Sequence, residues 1–307
     1  MNDSSQDREF SKEAWTIPLV TMYGLIFLTS IIMNSLVVAT FCKFECLHSI
    51  HDRLIFALSA VNMILLLGMP FYLMYSVGYV FVRHNQYFCL LNYVLLHGGI
   101  GCSVFLQLGL ALDRYMCIVW PWKHSKIRKR YVALYVVMSY VFGFGINLMP
   151  ALGWNSWSEY RKCVWESFPQ GHKLFVKATM IGILLLNLTF HLYVLRVANQ
   201  HSRKIRRLIQ RVRREHCGKR RGCEHTAVTT VVLLSVISTF SWLPYWIGTF
   251  LLPPNTLATI VTLQILYAVI ILNSVTSPLL FVMRNRHFRD ALCKLLLFVP
   301  KAHRCSS

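Results

Sequence analysis

The 307-residue chain draws 55% of its residues from the hydrophobic set and only 14% from the charged set, with a mean hydropathy of +0.48. A soluble domain carries about 25% charged residues, so a soluble enzyme, a disordered chain and a Gly/Pro-rich fibre are excluded and an integral membrane protein remains. The net charge of +20, from 32 Lys and Arg against 12 Asp and Glu, would suggest a nucleic-acid partner in a soluble protein; where the charges sit decides against it.

Residues 1–13 are polar and acidic, without the basic start and short apolar core of a cleaved leader, and form an expected extracellular N-terminus. Asn2-Asp-Ser4 within it fits a glycosylation acceptor. Stretches free of Asp, Glu, Lys and Arg then follow at Ala14–Cys42, Leu54–Val82, His84–Leu112, Tyr131–Ser158, Ala178–Leu195 and His225–Met283. Each is long enough to cross a bilayer as a helix, the fifth with a first turn starting near His172. The last is too long for one crossing. Pro253-Pro254-Asn255 breaks it into two helices joined by a tight turn, giving seven spans over residues 14–283. Beyond them, in residues 284–307, Phe288, Leu292, Leu295 and Leu296 fall on one helical face with Arg286, Arg289 and Lys294 among them. This pattern predicts a short helix lying in the membrane interface before a short cytoplasmic tail. The expected fold is an all-α seven-helix membrane bundle with an amphipathic eighth helix.

With the N-terminus outside, 25 of the 32 basic residues fall on the inner side; the others are Arg8, Lys12, Arg83, Arg161, Lys162, Lys173 and Lys177. This is the positive-inside distribution of a multi-pass membrane protein, with a secondary attraction to anionic membrane lipids, and it replaces nucleic acid as the reason for the charge. Of ten cysteines only Cys89 and Cys163 lie on the oxidising outer side, and these two are expected to form a disulfide. Cys217 and Cys223 with His216 and His225 match no common zinc spacing, so no metal or other cofactor is expected.

The internal motifs carry a resemblance. Asp113-Arg114-Tyr115 ends the third span, with Pro121-Trp122 after it; Trp242-Leu-Pro244 lies in the sixth; Leu272-Asn-Ser274 and Ser277-Pro278-Leu-Leu-Phe281 lie in the seventh. In this order, with the paired cysteines, the chain resembles the rhodopsin-like (class A) G-protein-coupled receptors from Ala14 to about Leu297. The resemblance implies a ligand-activated receptor that opens a site for a heterotrimeric G protein. In the family, Arg114 would rest paired with Asp113 and with Glu224 of the sixth span, Trp242 and Pro244 would form a hinge, and Tyr193 and the Pro278 region would join the active state. Pro121 and Trp122 would meet the G protein, and Cys293 in the eighth helix could carry a palmitate. An unpaired arginine at the membrane edge is costly, which gives the pairing its physical basis.

Several family positions are altered: Asn62 for aspartate, Ser277 for asparagine, Tyr140 for tryptophan, Leu185 for proline, Ser238 for phenylalanine and Phe281 for tyrosine. Without the acid at 62, resting-state sodium regulation is expected to be lost. Weakly coupled, constitutively active or decoy behaviour is the runner-up reading, and a transporter the next.

Helical position selects Leu96, His97, Ile100, Trp165, Glu166, Lys177, Trp242, Tyr245, Trp246, Thr249 and Tyr267 as pocket candidates. Leu96 stands where amine receptors have aspartate and Ile271 where opsins have lysine, so neither ligand class is expected. Pro150-Ala-Leu-Gly-Trp-Asn155 and Cys163-Val-Trp165-Glu166 resemble adenosine receptors, in which the aromatic stacks on adenine and the glutamate accepts from its amine. Trp246 and Thr249 depart from that subgroup. Two ligand chemistries stay open: an adenosine-like heterocycle, or an anion held by Lys177 and His97. His48 and His51 beside Asp52 are the nearest approach to an enzyme-like cluster, and a cytoplasm-facing loop accounts for them, so the chain is not expected to be an enzyme.

Overall fold

A computed structural model describes residues 16–44, 47, 49–77, 79–163, 167–212, 222–252 and 257–297. Among the described residues, six helices are long and apolar enough to cross a membrane. These are the first span Thr16–Lys43, the second Ile50–Ser76, the third Gln86–Val119, the fourth Lys129–Leu148, the fifth within Gln170–Val212, and the seventh Leu257–Arg284. The sixth, Gly222–Leu251, contains the uncharged sequence that begins at His225. Helix is the conformation that satisfies every backbone N–H and C=O within one segment, which hydrocarbon demands.

Local signals set the ends. Ser49 caps the second span through a reciprocal capping box with Asp52, Asn85 caps the third, and Asn285 turns the chain from the seventh span into the eighth helix, Arg286–Leu296. Pro70, Pro244 and Pro278 lie inside the second, sixth and seventh spans. The third span is not uniform: Val94–Gly98 forms a π turn between two α segments. The fifth helix starts at Gln170 and runs for 43 residues, well past its uncharged core.

The spans close a ring. First packs on second, second on third, third on fourth and fifth, fifth on sixth, sixth on seventh and seventh on first. The third span lies inside, touching the second, fourth, fifth and sixth. Third and fourth meet where Gly143 lies directly on the Cys102 backbone, a close approach that any larger residue would block. The Cys89–Cys163 disulfide, Cα–Cα 5.6 Å, defines one end of the bundle and Asp113-Arg114 the other. Lipid-facing positions such as Leu25, Leu67, Leu134, Phe142 and Leu186 are exposed and apolar, as a bilayer requires.

Candidate functional site

At the Asp113 end the carboxylate is buried and contacts three cations or potential cations. Arg114 Nε lies 3.4 Å from Oδ2, His51 Nδ1 lies 3.6 Å from the same oxygen, and His124 Nε2 lies 2.9 Å from Oδ1. Asp113 and Arg114 come from the third span, His51 from the first turn of the second, and His124 from the short helix Pro121–Ser125. Pro121 at the start of that helix turns the chain back so that His124 meets Asp113. The side chain of Glu224, the second expected partner of Arg114, lies outside the described residues.

The sequence reading grouped His51 with Asp52. The structure separates them in role: Asp52 accepts from Ser49 and from Asn285 Nδ2 at 3.3 Å, joining the second span to the eighth helix, while His51 turns to Asp113. His124 was missed; its one sequence signal was an imidazole just past a helix-starting proline. Tyr115 packs on Trp120, Phe190 and Tyr193 with ring centroids 5.4–5.5 Å apart, linking third and fifth spans. Phe281 packs between His51 at 5.7 Å and Phe288 at 4.8 Å. Trp122 is 74% exposed with Lys126 Nζ over its ring, and Cys293 is exposed on the eighth helix.

In the middle of the bundle a buried polar network crosses five spans. Ser30 and Ser274 hydroxyls are 2.7 Å apart, and Asn34 Nδ2 donates to the Ser30 and Ser274 carbonyls. Asn62 Nδ2 donates to Asn34 Oδ1 at 3.1 Å, while Asn62 Oδ1 accepts from Ser103. Asn273 Oδ1 accepts from Ser238, Ser277 and Thr276. A hard cation needs several oxygens bearing net negative charge. Here Asn62 aims an N–H inward and its oxygen already accepts from Ser103, so the donor set does not fit the sodium ion of the family's resting state.

At the disulfide end an aromatic path runs inward. Tyr93 stacks on Phe168 at 4.3 Å and on His97 at 4.4 Å, and His97 faces Tyr267 at 6.1 Å. Tyr267 meets Tyr245 and Tyr72, and Tyr72 meets Tyr23. Polar edges line this path: Tyr93 Oη pairs with His172 Nε2 at 3.0 Å, and Tyr72 donates to Gln264. His97 lies in the π turn, which sequence periodicity did not foresee. Leu96 and Ile100 are buried in the core, Leu96 against Gly68 of the second span. Trp242 and Trp246 are buried one turn apart on the sixth span; among the described residues neither indole N–H nor the Tyr267 hydroxyl has a hydrogen-bond partner.

Lys177 lies near the start of the fifth span. Its Nζ donates to the Thr249 carbonyl at 2.8 Å and lies over the Phe250 ring, joining fifth and sixth spans. Trp165, Glu166 and Asn2 lie outside the described residues. The adenosine-like stretch Pro150–Asn155 forms a turn in which Gly153 takes φ of +110° and Asn155 Nδ2 donates to the Pro150 carbonyl. That turn presents Trp154 to His172 edge-on at 5.5 Å.

Residues 33–281 match the family model described as 7 transmembrane receptor (rhodopsin family). The chain is similar to melanin-concentrating hormone receptor 1 of Macaca mulatta, 31% identical over 43% of this chain and 38% of that protein. It is also similar to adenosine receptor A2a of Canis lupus familiaris, 24% identical over 81% of this chain and 65% of the relative, and to that of Equus caballus, 25% identical over 88% and 70%. The first of these matches therefore spans little more than a third of the relative's length, and the second just under two thirds.

Proposed function

Because the chain belongs to the seven-transmembrane receptors of the rhodopsin family, we propose that it binds a small extracellular ligand at its Cys89–Cys163 end and promotes nucleotide exchange on a heterotrimeric G protein at its Asp113-Arg114 end. In this reading it is a plasma-membrane receptor with the N-terminus outside, an orientation supported by the 25 of 32 basic residues on the opposite side. The observation that carries it is Arg114 beside the buried Asp113 carboxylate at the mouth of a closed helical ring. A guanidinium held at that edge is a two-position element: paired it caps the bundle, released it frees the cleft among the third, fifth and sixth spans. Glu224 is the second resting partner. An agonist that binds the open arrangement more tightly shifts the population toward it and moves the sixth span outward. Pro121 and Trp122 then offer an apolar knob to the G protein.

The ligand is a flat, uncharged heteroaromatic with hydrogen-bonding edges, of the adenosine-like kind. Support comes from the ring path Phe168, Tyr93, His97, Tyr267, which offers π faces for stacking, and from the donors of Trp242, Trp246 and Tyr267, which have no hydrogen-bond partner among the described residues. The ammonium of Lys177 donates to the Thr249 carbonyl at the seam of the fifth and sixth spans. The test is a G-protein dissociation panel in cells, with libraries of neutral heteroaromatics, organic acids and amines, and Arg114→Ala as control. Responses to heteroaromatics that vanish in the control support the reading. A response to acids that Lys177→Gln abolishes would move the ligand to the anionic class, and no Arg114-dependent signal with any G protein would refute coupling.

A further inference from the structure

Resting on that reading, we propose that His51 and His124 are positioning residues of the Arg114 switch: from two further elements they hold the Asp113 carboxylate, and proton uptake by their imidazoles on the cytoplasmic side favours release of Arg114. Asp113 has two oxygens and three nitrogen-bearing neighbours. His124 engages Oδ1, while His51 and Arg114 share Oδ2.

The groups that face these imidazoles are few among the described residues. His51 meets Asp113 and Arg114 of the third span and the Phe281 ring of the seventh, with Asp52 adjacent in its own helix and turned to Ser49 and Asn285. His124 meets Asp113. With both imidazoles neutral, one carboxylate balances one guanidinium. Protonating either adds a positive charge beside Arg114 while it is docked, so the docked state binds the extra proton with repulsion.

Once Arg114 leaves, the buried carboxylate would lie uncompensated, a costly state that an imidazolium relieves. The released state therefore binds protons more tightly, and falling pH favours it. The latch thus links three elements, the second span, the third span and the Pro121–Ser125 helix, and its strength follows the proton activity of the inner side.

The experiment uses the full chain in lipid nanodiscs with an environment-sensitive fluorophore at the inner end of the sixth helix, titrated from about pH 8 to about pH 6. In the unaltered receptor the open-to-closed ratio should rise about three- to tenfold, which corresponds to half to one unit of linkage. The double variant His51→Asn, His124→Gln keeps neutral N–H donors near the same oxygens. Its rise should be under about 1.5-fold. If the double variant fails to fold, each single variant should remove part of the slope. A flat titration of the unaltered receptor, an equal slope in the double variant, or closing on acidification would each overturn the proposal. The readout needs no G protein: a histidine-dependent slope without coupling sinks the receptor reading alone, and Arg114-dependent coupling with a histidine-independent slope sinks only this latch.

Discussion

Asn62→Asp restores the acid that the family carries in the second span, and the structure sets what that change does. Asn62 Nδ2 donates to Asn34 Oδ1 at 3.1 Å. In the aspartate an anionic oxygen takes the place of the amide and faces that carbonyl oxygen. One hydrogen bond, about 1 kcal/mol, is lost, and a buried acceptor left without a donor costs roughly 1–3 kcal/mol more. A destabilisation of about 2–4 kcal/mol follows before the charge itself is counted. Sodium can offset part of it, because the new carboxylate, with the Ser103 hydroxyl beside it, supplies the anionic oxygens the native residue lacks. Occupancy at a hundred times the dissociation constant recovers about 2.7 kcal/mol. The assay is thermal unfolding of the purified chain in sodium chloride and in choline chloride at equal ionic strength. The native receptor should unfold at the same temperature in both. The variant should unfold earlier in choline, with much of the loss recovered in sodium. A native receptor stabilised by sodium, or a variant unaffected in choline, would refute the reasoning.

Three further outcomes follow from the packing. Gly143→Leu drives a side chain into the Cys102 backbone and should lower thermal stability by at least about 1–3 kcal/mol and reduce surface expression, whereas Gly145→Ala, with open space around its new methyl, should match the native protein in both. Tyr140→Phe removes the hydroxyl that donates to the Ala57 carbonyl at 3.0 Å and should cost about 1 kcal/mol in thermal unfolding; a neutral result would show that lipid or water replaces the bond. Lys177→Met removes the donor to Thr249 and the cation over Phe250; it should lower unfolding stability by about 1–2 kcal/mol while leaving potency of a neutral heteroaromatic agonist within a few-fold.

The seven crossings were legible because charge in hydrocarbon is so costly that its absence marks each span by counting alone. Cys89 and Cys163 were legible for a chemical reason, redox side, and the structure joins them. What the sequence hid depends on register and on distant chain. His97 lies in a π turn that shifts the face of the third span by a residue, so helical spacing from Leu96 misassigns neighbours. His51 and His124 are 73 positions apart in number yet meet at one carboxylate. No local pattern announces that meeting, since each looks like an ordinary loop-edge imidazole. Lys177 reads as a pocket cation because it lies among pocket positions; only coordinates show its ammonium at the Thr249 carbonyl.

The altered family positions share a logic once their partners are known. Tyr140 fills the fourth-span tryptophan place and sends its hydroxyl to the second span; Ser238 donates to Asn273 at 3.0 Å across the sixth and seventh; Phe281 packs on His51 and Phe288. Each of these three departures is met by a contact that joins neighbouring elements. Their combined effect is electrical. The central network, from Ser30 through Asn34, Asn62 and Ser103, holds neutral amides and hydroxyls, while imidazoles gather around the buried Asp113 at the Arg114 end. An uncharged middle gives a resting cation little to bind, and a histidine-ringed carboxylate gives a proton more. On the latch proposed above, the control that the family's acid at position 62 would give to sodium shifts, in this chain, toward proton uptake by the imidazoles around Asp113, and the two experiments above, sodium on Asn62→Asp and pH on the histidine pair, test the two halves of that exchange independently.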